Sequence, residues 1–148
     1  MIEEGHPFPA FTLEDQDGVT HTEAELQGKT VVVYFYPKDD TSGCTVEACG
    51  FRDELSQFKG VPVLGVSPDS AKSHRKFADK YQLNFPLLAD VEQKLATACG
   101  IWVEKSMYGK KYMGIERTTY LVDNGTVVRV WRKVKPDGHV SEVLAALA

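Results

Sequence analysis

Two cysteines, Cys44 and Cys49, stand five residues apart, just after the apolar run Val31–Tyr36 and the polar turn Pro37-Lys38-Asp39-Asp40-Thr41-Ser42-Gly43. The pattern places Cys44 in the first turn of a helix, where unpaired backbone N–H groups and the positive end of the helix dipole favour a thiolate. Cys44 is therefore a candidate nucleophile. In the same helix Cys44, Ala48, Phe51, Leu55 and Phe58 recur at helical intervals and form one core-facing stripe. Cys49 lies about 140° around the axis, on the side of Arg52, Asp53 and Ser56. In an intact helix the two Cα atoms are roughly 8 to 9 Å apart, beyond the ~7 Å over which a disulfide closes without backbone movement. A Cys44–Cys49 bond thus requires the first helical turns to unwind. Gly43 and Gly50 bracket the segment, and glycine within a helix costs about 1 kcal/mol relative to alanine, which favours opening at this end.

The elements that must position this helix follow from patterning. Val31–Tyr36 is a continuous apolar and aromatic run, the signature of a central strand covered on both faces. Val63–Ser67 reads as a second buried strand, and Ser70–Tyr81 as a helix capped by Ser70, which completes a βαβ unit. Phe11–Leu13 and Val19-Thr20 flank an Asp17-Gly18 turn and predict an N-terminal hairpin. A short helix from about Glu92 to Cys99 should stop at Gly100. Thr118–Val122 and Val127–Arg132 bracket Asp123-Asn124-Gly125 as a further hairpin, and Val140–Leu147 reads as a last helix. This order predicts an α/β domain of thioredoxin-like fold, with a mixed central sheet, helices on both faces and the N-terminal β-hairpin.

The run Pro37-x-x-x-Thr41-x-x-Cys44, followed by Glu47 and Cys49 and far downstream by Arg117, closely resembles the peroxiredoxins, in detail the peroxiredoxin Q or bacterioferritin comigratory protein branch. Leu64-Gly65-Val66-Ser67, Phe85-Pro86-Leu87 and Gly114-Ile115-Glu116-Arg117-Thr118 extend the resemblance over nearly the whole chain. It implies reduction of hydrogen peroxide or organic hydroperoxides by a peroxidatic Cys44, with no metal or organic cofactor. It also implies that Pro37 shapes and shields the pocket, that the Thr41 hydroxyl orients thiolate and peroxide, and that Arg117 stabilises the thiolate and the developing oxyanion. These roles fit the chemistry, since donors must stand where charge accumulates as the peroxide bond breaks. The resulting sulfenic acid can be trapped by a second thiol, for which Cys49 is the candidate, and thioredoxin or a similar dithiol is the expected reductant. Many relatives carry proline where this chain has Ser42, the first helical position if Thr41 is the N-cap, so the first turn is expected to be looser here.

Composition bounds the remaining classes. The 148 residues, 43% of them apolar, suffice for one domain spanning 1–148. A net charge of -4 without a large basic cluster argues against nucleic acid or an anionic membrane as partner. The N-terminus lacks a signal-peptide pattern and no apolar run approaches membrane-spanning length, so a cytoplasmic location is expected. A monomer is expected as well, because the resembled branch closes its disulfide within one chain. Three cysteines do not make a disulfide framework. Cys99 is assigned to packing, with an alternative resolving role as the minority reading. Arg117 has an ordinary rival reading as a surface partner of Glu116 or Asp123, and Glu47 as a carboxylate favoured at a helix start, with a role in holding Arg117 or the loop beside it. The histidines show no ligand spacing. Two other classes stay open: a thioredoxin-like disulfide exchanger, although its usual spacing is C-x-x-C, and a metal-binding module built from Cys44, Cys49, Cys99 and His74.

Overall fold

A computed structural model describes residues 1–147. Its elements are β1 Thr12–Glu14, β2 Thr20–Thr22, β3 Thr30–Phe35, α1 Ser42–Glu54, β4 Val63–Ser67, α2 Ala71–Tyr81, β5 Leu87–Ala89, α3 Lys94–Cys99, β6 Trp102–Met107, β7 Lys110–Ile115, β8 Thr118–Asp123, β9 Thr126–Trp131 and α4 His139–Leu147. The apolar run becomes β3, the middle strand of a five-stranded sheet ordered β5-β4-β3-β8-β9. Strands β4 and β5 run parallel to it, while on the other side β8 pairs antiparallel to β3 and β9 antiparallel to β8, so the sheet is mixed. Alternation along β3 divides the core. Val31, Val33 and Phe35 enter one apolar layer and Val32, Tyr34 and Tyr36 the other.

The layer built on Tyr34 and Tyr36 is covered by α1, α2 and α4 through Phe51, Phe77 and Val143. The opposite layer holds α3 and the N-terminal segment through Leu95, Phe8 and Phe11. Each fully buried side chain of this size contributes about 1.5–3 kcal/mol, enough to seat the helices firmly on the sheet. Ser70 caps α2, its hydroxyl accepting the Ser73 N–H at 3.1 Å. The N-terminal hairpin forms as predicted by the Asp17-Gly18 turn, with Asp15 accepting the Asp17 and Val19 N–H groups.

Two features differ from the sequence pattern. The helix expected from about Glu92 begins at Lys94, because the Asp90 carboxylate reaches forward to the N–H groups of Leu95 and Ala96 at 3.2 and 2.9 Å. It does end at Gly100, whose φ of +77° is a conformation other residues adopt at a cost. The segment between Gly100 and Arg117, given no element by the sequence, is a hairpin of β6 and β7 paired from Trp102↔Ile115 to Met107↔Lys110. Its strands are largely exposed, so the alternation that marks a half-buried strand is missing from them.

In β2, His21 is held between two carboxylates, with Nε2 at 2.7 Å from Asp15 and Nδ1 at 2.8 Å from Glu25. Burial alone would lower the pKa of His21, but the hydrogen bonds to Asp15 and Glu25 outweigh it and raise it above 6.5. Folded His21 therefore holds its proton to higher pH than the unfolded chain does. The stabilisation is complete below about pH 6.5 and fades as pH rises through the elevated folded value. His21→Gln should accordingly lose more stability at pH 6 than at pH 8.5, as read by urea denaturation of variant and parent at both values. An equal loss at the two pH values would contradict a charged His21.

Candidate active site

Helix α1 starts where the polar turn ends. Thr41 is the N-cap in extended conformation, and the first helical bond runs from the Thr45 N–H to the Thr41 carbonyl at 2.8 Å. The N–H groups of Ser42, Gly43 and Cys44 thus stand ahead of the helical ladder, with Cys44 in the first turn and 1% exposed. The predicted stripe is borne out in Cys44, Ala48 and Phe51, but α1 ends at Glu54, so the partly buried Leu55 and the buried Phe58 continue it from a 3-10 turn over Leu55–Phe58. Phe51 stacks on Tyr34 with ring centroids 4.7 Å apart. Space is tight at Gly43, where a Cβ would lie 3.2 Å from Pro136 Cγ and 3.3 Å from Arg117 Nη2, so a side chain there would press on the guanidinium.

Arg117 lies between β7 and β8, and it is not a surface partner of Glu116 or Asp123. Its Nη2 donates to Cys44 Sγ at 3.3 Å and its Nη1 to Glu47 Oε1 at 2.8 Å, while Glu116 pairs with Arg132 instead. The backbone at this point is clamped: the Val134 N–H donates to the Arg117 carbonyl at 2.9 Å and the Glu116 N–H to Ile101 at 2.9 Å. Glu47 is wholly buried. Burial raises its pKa from 4.5 to about 7 against the opposing pull of Arg117. The second oxygen of Glu47 and the Tyr34 hydroxyl are buried without a hydrogen-bond partner among the described residues. A guanidinium with one arm on a thiol and one on a buried carboxylate rewards negative charge at the sulfur and keeps a donor beside it as charge moves onto an attacked oxygen.

Pro37 and Arg117 share the wall of an open depression of about 610 Å³ with Val103, Lys105, Lys133 and Val134. The Thr41 hydroxyl donates back to the Lys38 carbonyl at 3.1 Å. Cys49 lies in the same continuous helix as Cys44, partly exposed, and both thiols are free. Cys99 is elsewhere. It packs in the layer with Phe35 and Leu95, across the sheet from Cys44, and burial pushes its thiol up to about 12. Cys44 and Cys99 therefore cannot share an ion, and no group of metal-ligating side chains forms among the described residues. The expected hold of Glu47 on Arg117 is present, but its complete burial was not read from the sequence. A carboxylate near a helix start signals a dipole partner, and only the helical phase relative to Cys44 and Ala48 could have marked it as inward-facing.

The AhpC/TSA family model matches residues 5–130. A putative peroxiredoxin of Coxiella burnetii is 52% identical, with 99% of each chain covered, and peroxiredoxin Bcp of Bacillus subtilis is 48% identical, covering 99% of this chain and 95% of that one. The structure of the Xanthomonas campestris bacterioferritin comigratory protein, studied for its alkyl peroxide reduction activity, superposes with a TM-score of 0.88 at 45% identity over 93% of this chain and 89% of that one. Xylella fastidiosa PrxQ superposes with a TM-score of 0.93 at 36% identity over 99% and 96%. Motif, fold and relatives agree along nearly the whole length, and the chain belongs to the AhpC/TSA family as a peroxiredoxin, a thiol peroxidase.

Proposed function

We propose that Cys44 is the peroxidatic residue of a peroxidase acting on hydrogen peroxide and organic hydroperoxides. The observation that carries this reading is the Arg117 guanidinium shared between Cys44 and Glu47. The Cys44 thiolate attacks the terminal peroxide oxygen, the O–O bond breaks, and the leaving oxygen takes a proton to become water or an alcohol. Cys44 is left as a sulfenic acid. Arg117 stabilises the charge on both sides of this step, and Pro37 walls the approach. The Thr41 hydroxyl spends its proton on Lys38, so its oxygen is free to accept the O–H of the incoming peroxide and aim it. The first turns of α1 then unwind, the Cys49 thiol attacks the sulfenic sulfur, water leaves, and a disulfide forms within one chain. A dithiol protein of thioredoxin type in the cytoplasm returns both thiols, and the enzyme works as a monomer. The C-x-x-x-x-C spacing inside one continuous helix argues against a disulfide exchanger.

Glu47 adds a pH dependence. Because folding raises its pKa, ionising it costs stability, which falls as pH rises from about 4.5 through about 7. The difference corresponds to on the order of 3 kcal/mol. Glu47→Gln should lose this slope in denaturation series between pH 5 and 8, and its peroxide rate should fall because the guanidinium is held less firmly. A variant with the parental slope would remove Glu47 as its source.

The central test couples peroxide consumption to thioredoxin. Cys44→Ser should lose turnover, on the order of a thousandfold or more. Cys49→Ser should consume one equivalent of peroxide and then stall, whereas Cys99→Ser should stay within about twofold of the parent. Mass mapping should find a Cys44–Cys49 disulfide. Full activity in Cys44→Ser would overturn the reading.

A further inference from the structure

The loop that carries Pro37 and Thr41 has no strand or helix ladder of its own, yet it is fastened from within by a carboxylate that the chemistry above does not use. Asp39 is buried and accepts three hydrogen bonds: from the Tyr36 hydroxyl at 2.6 Å, the Ser73 hydroxyl at 2.7 Å and the ring of His74 at 2.7 Å. Its backbone N–H donates to Asp69 at 2.7 Å, and the same Asp69 oxygen accepts from Ser67 at 2.9 Å. His74 is wholly buried, with Nε2 3.0 Å from the Leu88 carbonyl. A carbonyl can only accept, so Nε2 carries hydrogen and the other side of the ring shares a proton with Asp39. The next residue, Asp40, takes a left-handed φ of +58° and ties its carboxylate to Lys80 and the Tyr81 hydroxyl, both at 2.8 Å. Such a backbone persists only where its surroundings over-determine it.

We propose that Asp39 is a positioning residue for the peroxide step. Its bonds to Ser73 and His74 set the loop so that Pro37 on one side and Thr41 on the other stand correctly against Cys44, and they mark the fixed end from which α1 unwinds. Direction comes from where the partners lie. Beyond its own strand-end neighbour Tyr36, the side-chain partners of Asp39 and Asp40 are all on α2, and the backbone partner Asp69 precedes the Ser70 cap of that helix. None is on α1. Unwinding the first turns of α1 therefore breaks no bond of this tether, and the loop start stays on α2 while the cysteines move.

The inference rests on the peroxidase reading, and the two can fail separately. Asp39→Asn keeps the side chain's size but presents an N–H₂ group to donors, which loosens the network without emptying it. Steady-state kinetics separate the two half-reactions. The constant kcat/KM for hydrogen peroxide should fall about tenfold or more, because a misplaced loop degrades the attack geometry. The constant kcat/KM for thioredoxin should stay within about twofold, since the disulfide is reduced while α1 is open. Ser73→Ala, which removes one donor and leaves the His74 bond, should show the same split at about threefold and decides the matter if Asp39→Asn does not fold. In the disulfide form, the Asp39 amide should remain protected from hydrogen exchange while those of Cys44 to Cys49 exchange freely. An active parent whose variants lose neither constant, or lose both together, would overturn the inference alone, as would loss of Asp39 protection on oxidation. A parent that consumes no peroxide would overturn the peroxidase reading and the inference with it.

Discussion

The site depends on one guanidinium serving two buried acids. With Glu47 and Cys44 both sealed from water, either would be costly without a partner, and removing one member of a buried ion pair typically costs about 3–5 kcal/mol. Arg117 meets both with a separate nitrogen, a division that the planar fork of arginine allows and a lysine would not. Much of the nearby structure can be understood as support for that side chain. The β6–β7 hairpin returns the chain to Ile101, Arg132 holds the neighbouring Glu116, Val134 fixes the Arg117 carbonyl, and Gly43 leaves the room that the guanidinium occupies.

Helix α1 joins two features that normally exclude each other, tight packing and glycine on either side of its cysteines. Phe51 stacks on Tyr34 and touches Phe58 and Phe85, which anchors the middle of the helix in aromatic contacts. At Gly50 the approach to α4 is so close that a Cβ would stand 2.9 Å from Val140 Cγ2. The two glycines that lower the helix's intrinsic stability are thus also what lets it lie flat against its neighbours. A single residue type supplies both properties because the missing Cβ brings backbone freedom and backbone proximity together.

What could be seen in the sequence was what is local. Strand β3 announces itself by an unbroken apolar run, α2 by its cap and periodicity, and the β8–β9 hairpin by Asn124-Gly125. The place of Cys44 in a first helical turn was legible because the strand, the polar turn and the helical stripe around it are all local. The β6–β7 hairpin was not, since strands exposed on both faces carry no alternation for a pattern to reveal. The burial of Glu47 stayed hidden for the opposite reason, because a charged residue only becomes an interior one when an arginine 70 positions away is brought to meet it. Asp39 and His74, 35 positions apart, likewise become partners only through the βαβ crossover.

The sheet also separates the thiols by kind. Cys44 and Cys49 belong to the helix layer on one side, while Cys99 is sealed on the other with its proton tightly held. An odd cysteine count ordinarily exposes a chain to mispairing during oxidation. Here the five-stranded sheet stands as an insulator between the Cys44 layer and the deeply buried Cys99. The oxidation proposed for Cys44 would thus proceed with the third thiol kept in the opposite core layer.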